Sequence, residues 1–266
     1  EQCFEVNIGE PKAISAFIDI DNDNDLDLYL VSGGNQFDVD SVFYQDRLLI
    51  NDGNGSFKWD KTKLPKLNSN GCVVRPMDYD QDGYIDLFIG GHNKPKAFPL
   101  SDSSYLLKNI NGRFENVTET IFPELSKIGI VTDAQWADMN QDGFQDLIIV
   151  GEYSPITIYL NKSEVFELLP SPVLADAFGL WRAIEPLDFD GDGDMDVLSA
   201  SAFDNKVAWY ENDGSGGFGS QQVITSSADG ARSVYASDLD GDGDMDVLSA
   251  SNLDYEILDS KIAWYE

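Results

Sequence analysis

The apolar residues of this 266-residue chain fall into short runs that recur. DLYLV begins at Asp27, DLFIG at Asp86, DLIIV at Asp146, and DVLSA at both Asp196 and Asp246. Each run is rich in Leu, Ile and Val and too short for an ordinary helix, so each reads as a buried strand. A second set precedes them: AISAFID, VVRPMD, AQWAD, IEPLD and VYASD. A third set follows: DRLLIN, YLLKNI, ITIYLN, KVAWYE and KIAWYE. Turns such as NDGNG, NING and NDGSGG then lead into SFKWDK, RFENVT, VFELLP and FGSQQVIT. Asn-Asp-Gly clusters between strands are hairpin signals. The pattern predicts a repeated unit of four short antiparallel strands.

One polar loop joins the first two strands of every unit. It reads Asp-x-Asp-x-Asp-x-x-x-Asp and occupies residues 19–27, 78–86, 138–146, 188–196 and 238–246, with Asn140 in place of one Asp. Successive loops start 59, 60, 50 and 50 residues apart. Periods of this size indicate solenoids, propellers or arrays, and a four-stranded antiparallel unit is the blade of a β-propeller. The expected fold is therefore all-β, a β-propeller of five four-stranded blades in a single domain, residues 1–266. The fifth unit ends at KIAWYE with no fourth strand of its own. Residues 3–8 align with the fourth strand of the preceding unit. They are expected to complete the last blade beside residues 261–266, which removes an exposed sheet edge. A piece of a longer array is the alternative.

Carboxylates at alternate positions of a tight loop suit a hard divalent cation. Calcium takes six to eight oxygens in a flexible shell. Positions 1, 3, 5 and 9 offer side-chain oxygens: Asp19, Asp21, Asp23 and Asp27; Asp78, Asp80, Asp82 and Asp86; Asp138, Asn140, Asp142 and Asp146; Asp188, Asp190, Asp192 and Asp196; Asp238, Asp240, Asp242 and Asp246. Position 7 offers a backbone carbonyl, at Asp25, Tyr84, Phe144, Asp194 and Asp244. Position 6 calls for positive φ, and is Gly83, Gly143, Gly193, Gly243 or the tolerant Asn24. About five calcium ions are expected, one per blade, with the third site weakest because Asn140 lacks a charge. Magnesium demands stricter geometry. Zinc would want Cys or His, which no loop contains. An EF-hand would need Glu at position 12 and flanking helices, whereas position 12 is Leu30, Ile89, Ile149, Ser199 or Ser249. Asp, Asn and Gly are also turn formers, which would explain one such loop but not five in register.

The net charge is −31, which makes nucleic acid and anionic membrane poor partners. No apolar run reaches membrane-spanning length, so no membrane insertion is expected. The chain opens EQCFEVNIGE, without Met or an apolar signal segment, and reads as a processed product. Cys3 and Cys72 allow a disulfide without requiring one. Asn54, Asn116 and Asn161 head N-glycosylation sequons.

These loops and strands resemble FG-GAP/VCBS-type repeats, the calcium-loop blades also seen in integrin α-subunit propellers. DLYLVSGG, RLLINDGNGSF and MDYDQDGYIDLFIGG further resemble cartilage-acidic-protein-like extracellular proteins. The resemblance implies a secreted or cell-surface protein with calcium at the residues named above. Integrin-type propellers have seven blades, against five repeats here.

No nucleophile with a local base signature is present, and the metal loops account for the paired carboxylates, so no enzyme is expected. The single histidine, His92, sits in a loop. Trp209-Tyr210 and Trp264-Tyr265 recur at equivalent positions and are expected to pack between blades. Residues outside the repeat are better ligand candidates. They lie in loops Gly33–Tyr44, Gly91–Ser104 and Asn252–Ser260, on the face opposite the metal loops, with Lys94, Lys96 and Phe98 foremost. The leading reading is a non-catalytic adhesion or recognition module for protein or glycan. Two alternatives remain open: a carbohydrate-active enzyme of the polysaccharide-lyase kind or its binding module, and a self-assembling repeat of a larger surface fibre or adhesin.

Overall fold

The computed structural model describes residues 12–163, 165–252 and 260–266. They form strands with two short helices, Thr118–Ile121 and Pro172–Asp176. The chain divides into two compact units. One takes the described residues up to Asp78 together with Asp82–Ile130; the other takes Tyr79–Gln81 and the chain from Val131 onward.

The first unit holds two four-stranded antiparallel sheets, each in simple chain order. The first contains β1 (Lys12–Ile18), β2 (Asp27–Gly33), β3 (Arg47–Asn51) and β4 (Phe57–Asp60). The second contains β5 (Gly71–Met77), β6 (Asp86–Gly91), β7 (Tyr105–Asn109) and β8 (Phe114–Asn116). Ile18, Tyr29, Val31 and Leu48 of one sheet pack with Val74, Leu87, Ile89 and Leu107 of the other in a single buried cluster. The second strand of each sheet has a partner on both sides, and every residue of β6 is buried. That position explains why the runs after each loop are almost wholly apolar.

The second unit repeats the pattern with β9 (Val131–Ala137), β10 (Asp146–Pro155), β11 (Thr157–Asn161), β12 (Phe166–Leu168), β13 (Phe178–Leu187), β14 (Asp196–Ser201), β15 (Lys206–Tyr210) and β16 (Gln222–Thr225). These eight strands form one sheet, because the overlong β10 and β13 pair through Glu152–Leu180 and Pro155–Phe178. The join is reinforced by Trp181 Nε1 donating to the Ser154 carbonyl at 2.9 Å and by an Arg182–Glu152 ion pair at 3.1 Å. GEYSP, which extends β10, carries no strand signature, so separate blades were the natural expectation at this point. A last sheet contains β17 (Ala231–Ser237), β18 (Asp246–Ser251) and β19 (Lys261–Tyr265). Its expected fourth strand, residues 3–8, lies outside the described residues. Among the described residues no sheet closes on itself. The repeated tryptophans diverge: Trp209 packs on Phe189 with ring centroids 4.8 Å apart, while Trp264 is half exposed.

A buried clasp ties each acidic loop to its sheet. The Asp at loop position 9 is buried in all five loops. One oxygen accepts the backbone N–H of position 2, as Asp146 does from Met139 at 2.9 Å and Asp246 from Leu239 at 2.8 Å. In the first four repeats the other oxygen accepts the N–H of an Asn at or just past the end of the third strand: Asn51, Asn109, Asn161 and Asn212, at 2.7–2.8 Å. The amide groups of Asn109, Asn161 and Asn212 are buried and reach back to the preceding loop, donating to the carbonyls of Ile20, Tyr79 and Met139 at 2.7–2.9 Å. Asn161 is thereby sealed, so its sequon is not available to a glycan; Asn54 and Asn116 are exposed. Cys72 is half-buried with its thiol 3.5 Å from the Gly90 carbonyl, and Cys3 lies outside the described residues.

A second buried carboxylate sits at the other end of β2. Asp46 accepts the Tyr29 hydroxyl at 2.8 Å and the Ser32 N–H at 2.7 Å. Burial pushes its carboxyl up to about 7, against the opposing pull of those hydrogen bonds and the Arg47 charge.

Two predictions test this scaffold. Asn109→Ala removes a buried amide that donates to the carbonyls of Ile20 at 2.8 Å and Ile85 at 3.2 Å, so it should cost about 3 kcal/mol in urea unfolding, from about 1–3 kcal/mol per orphaned group. Asn54→Ala, at an exposed turn, should change stability by less than about 0.5 kcal/mol. For Asp46 the folded-state carboxyl titrates above its unfolded value of 3.8, so the fold binds the extra proton between about pH 4 and pH 7. The contribution of Asp46 to stability should be greatest below that window and lost as pH rises through 7. The stability gap between wild type and Asp46→Asn, measured at pH 5 and pH 8 with loop cations held constant, should shift towards Asp46→Asn at pH 8. An unchanged gap refutes the assignment.

Candidate metal centres

The loops are built by their own acidic side chains. At position 1, Asp78 and Asp138 each take the N–H groups of positions 5 and 6: Asp82 and Gly83 for one, Asp142 and Gly143 for the other, all within 2.9–3.1 Å. At position 5, Asp82, Asp142, Asp192 and Asp242 accept the N–H of position 7 at 2.9–3.0 Å. Turn formation and carboxylate clustering are thus one geometry. Position 6 has positive φ in every loop, from 71° at Asn24 to 101° at Gly243. Position 4 shares it at Asn22, Gln81, Gln141, Gly191 and Gly241, a second left-handed residue that the sequence reading missed.

Four loops bring carboxylates from three residues together, with ligand atoms within 4.8 Å of one another. They are Asp19, Asp21 and Asp23; Asp78, Asp80 and Asp86; Asp188, Asp190 and Asp196; and Asp238, Asp240 and Asp246. Such groups could hold a hard cation through oxygen alone. Burial, helped by neighbouring aspartates, pushes Asp146 and Asp196 up to about 6. Burial and like charges also raise Asp25 and Asp194. In the first loop Asp21 Oδ1 and Asp25 Oδ1 are buried with no hydrogen-bond partner, as an oxygen set suited to a cation would be. The third loop differs. Asn140 Nδ2 donates to Asp142 Oδ2 at 3.1 Å and Lys162 Nζ sits 3.0 Å from the same oxygen. Burial opposes the charge on Asp142, but the hydrogen bonds from Lys162, Phe144 and Asn140 hold it below the usual carboxylate value.

Side chains at position 4 link one loop to the next. Asn22 donates to the Gly83 carbonyl at 3.0 Å, and Gln81 to the Gly143 carbonyl at 2.9 Å. Gln141 donates to the Gly193 carbonyl at 3.3 Å and to Asp194. Gly191 and Gly241 have no side chain to do this.

The opposite ends of the strands carry the unrepeated loops. Asp27 and Gly33 are the two ends of β2, and Asp86 and Gly91 the two ends of β6. Loops 33–44 and 91–104 meet there. The Lys96 N–H donates to Asn35 Oδ1 at 2.5 Å, and Lys96 Nζ holds Asp38 at 2.6 Å. Buried Asn70 spans both, accepting the Gly34 N–H at 2.7 Å and donating to the Asn93 carbonyl at 2.5 Å. His92 Nδ1 lies 2.7 Å from Asn93 Oδ1. Phe37 and Phe43 stack at 4.5 Å, and Phe98 and Leu100 are exposed. Lys94 is half-buried. The third expected loop falls largely on residues 253–259, outside the described residues.

No helix among the described residues is long and apolar enough to cross a membrane. No curated protein matches the chain. Among solved structures the chain is similar to an Agrocybe aegerita lectin described as recognising non-reducing terminal N-acetylglucosamine. The identity is 17%, covering 91% of this chain and 63% of the lectin, with a TM-score of 0.58. A V. cholerae biofilm matrix protein is 17% identical over 84% of this chain and 30% of its own, and its TM-score of 0.45 is too low to carry an argument. The chain therefore spans less than two thirds of either protein, and at such identity the lectin speaks for the fold alone. A family model described as FG-GAP-like repeat matches residues 19–89, 78–149, 138–199 and 188–249, each match running from one acidic loop into the strand after the next. With tandem copies from Asp19 to Ser249, the chain belongs to the FG-GAP-like repeat family.

Proposed function

We propose that this chain is a calcium-stabilised, non-catalytic recognition module of the extracellular space or cell surface. It takes a glycan or protein at the strand ends away from its acidic loops. The observation that carries this reading is the difference between the two ends of the strands. One end repeats the same acidic loop in every unit. The other end carries loops 33–44 and 91–104, which are unrepeated and locked to each other by Lys96 and Asn70. A scaffold needs the repeated part, whereas a ligand is selected by the unrepeated part. The same proposal includes a single β-propeller over residues 1–266, its fifth blade completed by residues 3–8.

Calcium would sit at the oxygens of positions 1, 3, 5 and 9 in each loop, with the carbonyl of position 7, about five ions in all. Millimolar extracellular calcium would keep even modest sites filled. The fold shared with a sugar-recognising lectin is the ground for placing glycan beside protein among the ligand classes. His92 faces the amide of Asn93 rather than a nucleophile or a carboxylate, which supports a binding role for that loop.

Removing calcium with excess chelator should lower the melting temperature, because a site held at a ~100-fold excess over its Kd adds about 2.7 kcal/mol. An unchanged melting temperature sinks the calcium assignment. Asp192→Ala should lose roughly one ion from the stoichiometry read by calorimetry. Asn140→Ala, in the loop already served by Lys162, should change it least.

A further inference from the structure

The unrepeated end of the first unit carries an open cavity of about 520 Å³, lined by Gly33–Gln36, Asn70–Cys72, His92, Asn93 and Ile14. Its size lies within the range of about 300–1,000 Å³ typical of small-ligand sites. We propose that this cavity is the ligand site and that its ligand is a neutral carbohydrate, one to a few sugar units long. The inference rests on the recognition reading above and deepens it.

Charge is the first argument. The chain carries 48 acidic and 17 basic residues, yet among the described side chains that line the cavity none is Asp, Glu, Lys or Arg. Of the cations near it among the described residues, Lys96 is already paired with Asp38 at 2.6 Å. Among the described lining side chains a sulfated, uronic or phosphorylated ligand would find no counter-charge, and the Asp102 carboxylate bonded to the Asn70 N–H at 3.0 Å would repel it. Burying an uncompensated charge is costly.

Hydrogen-bonding capacity is the second. The wall offers amides, an imidazole and glycine backbone, groups that donate and accept like the hydroxyls of a sugar. Three of those amides are oriented by backbone donors. Asn35 Oδ1 takes the Lys96 N–H, Gln36 Oε1 takes the Asn35 N–H at 3.1 Å, and Asn70 Oδ1 takes the Gly34 N–H. With the oxygen fixed, the NH₂ group is fixed too. Asn70 spends its NH₂ on the Asn93 carbonyl. Among the described residues the NH₂ groups of Asn35 and Gln36 have no partner, which leaves two placed donors at the cavity.

Shape is the third. A Cβ on Gly33 would lie 2.1 Å from the Gly71 carbonyl oxygen, and one on Gly71 would lie 2.3 Å from Val31 Cγ1. The close approach of these backbones therefore requires glycine on both sides. Buried Asn70 holds the two flanking loops in place, so the wall is formed before a ligand arrives, which lowers the ordering cost of binding.

The test is a panel of immobilised neutral hexose and N-acetylhexosamine oligosaccharides, with sulfated and uronic counterparts, probed by the calcium-loaded chain. A double variant, Asn35→Ala with Gln36→Ala, is measured beside it, and its melting temperature reports folding. The expected result is a neutral sugar bound by wild type and weakened at least about tenfold in the double variant, since one lost hydrogen bond is worth about three- to tenfold. Should the double variant unfold, Gln36→Glu provides the same reading by setting a charge beside the cavity. Undiminished sugar binding in a folded variant overturns the cavity assignment and leaves the recognition reading standing. Preference for the charged sugars overturns the ligand class. Silence across the whole panel overturns the carbohydrate proposal, and a protein ligand bound by the same chain would then keep the broader reading.

Discussion

A carboxylate at loop position 9 is buried in every repeat. In Asp146 and Asp196 each oxygen takes a backbone N–H, one from the loop's second residue and one from the asparagine that follows the third strand. A buried charge survives only when it is bonded, and here the bonds come from backbone that the strands already fix. The asparagine then spends its own amide on the preceding loop, as Asn161 does on Tyr79 and Asn212 on Met139. In the second, third and fourth repeats one aspartate and one asparagine thus join loop to strand and loop to loop. The acidic end is held in shape by backbone N–H groups bonded to its carboxylates, so the clustered carboxylates are organised before any cation neutralises them.

Much of this was legible in the sequence because its causes are local. The apolar runs after each loop mark strands paired on both sides, and β2, β6, β10, β14 and β18 begin at the aspartates that the pattern names. Glycine at position 6 announced its positive φ. Position 4 did not, because Asn22, Gln81 and Gln141 are not glycine, and the reason for the left-handed turn is the loop's ring of N–H bonds. The clasp asparagines do leave a signal, since LLIN, LLKN, IYLN and WYEN end the third strand of four repeats. Read as turn residues, they looked like hairpin chemistry. The β10–β13 pairing left none, because pairing between distant strand ends depends on register and not on composition. Asn161 shows the same limit from the other side: its sequon is a local fact, and the burial that closes it is a tertiary one.

The two ends of the strands obey opposite rules. At the acidic end charge is concentrated and the sequence is constrained by repetition. At the other end the described side chains that line the cavity beside Asn70 are uncharged and hydrogen-bonded, and the Asn70 N–H itself is held by Asp102 Oδ2 at 3.0 Å. A highly acidic chain repels anions at long range, and Asp102 beside Asn70 adds to that field. Selectivity there would come from placed donors and acceptors, which distinguish ligands by geometry more sharply than a point charge does.

The acidic loops themselves are graded. In the first three, a lysine supplies part of the counter-charge: Lys63 at 2.9 Å from Asp21, Lys108 at 3.3 Å from Asp82 and Lys162 at 3.0 Å from Asp142. Those loops also have an amide side chain at position 4 that grips the next loop. The fourth and fifth have neither. Each carries five aspartates, glycine at positions 4 and 6, and no lysine or arginine partner among the described residues. Repulsion is therefore strongest where the backbone is least restrained, and a flexible carboxylate cluster without a resident cation gains most from an added one. If the loops take a divalent ion as proposed, dependence on it would rise towards the C-terminal repeats, although all five loops share one spacing.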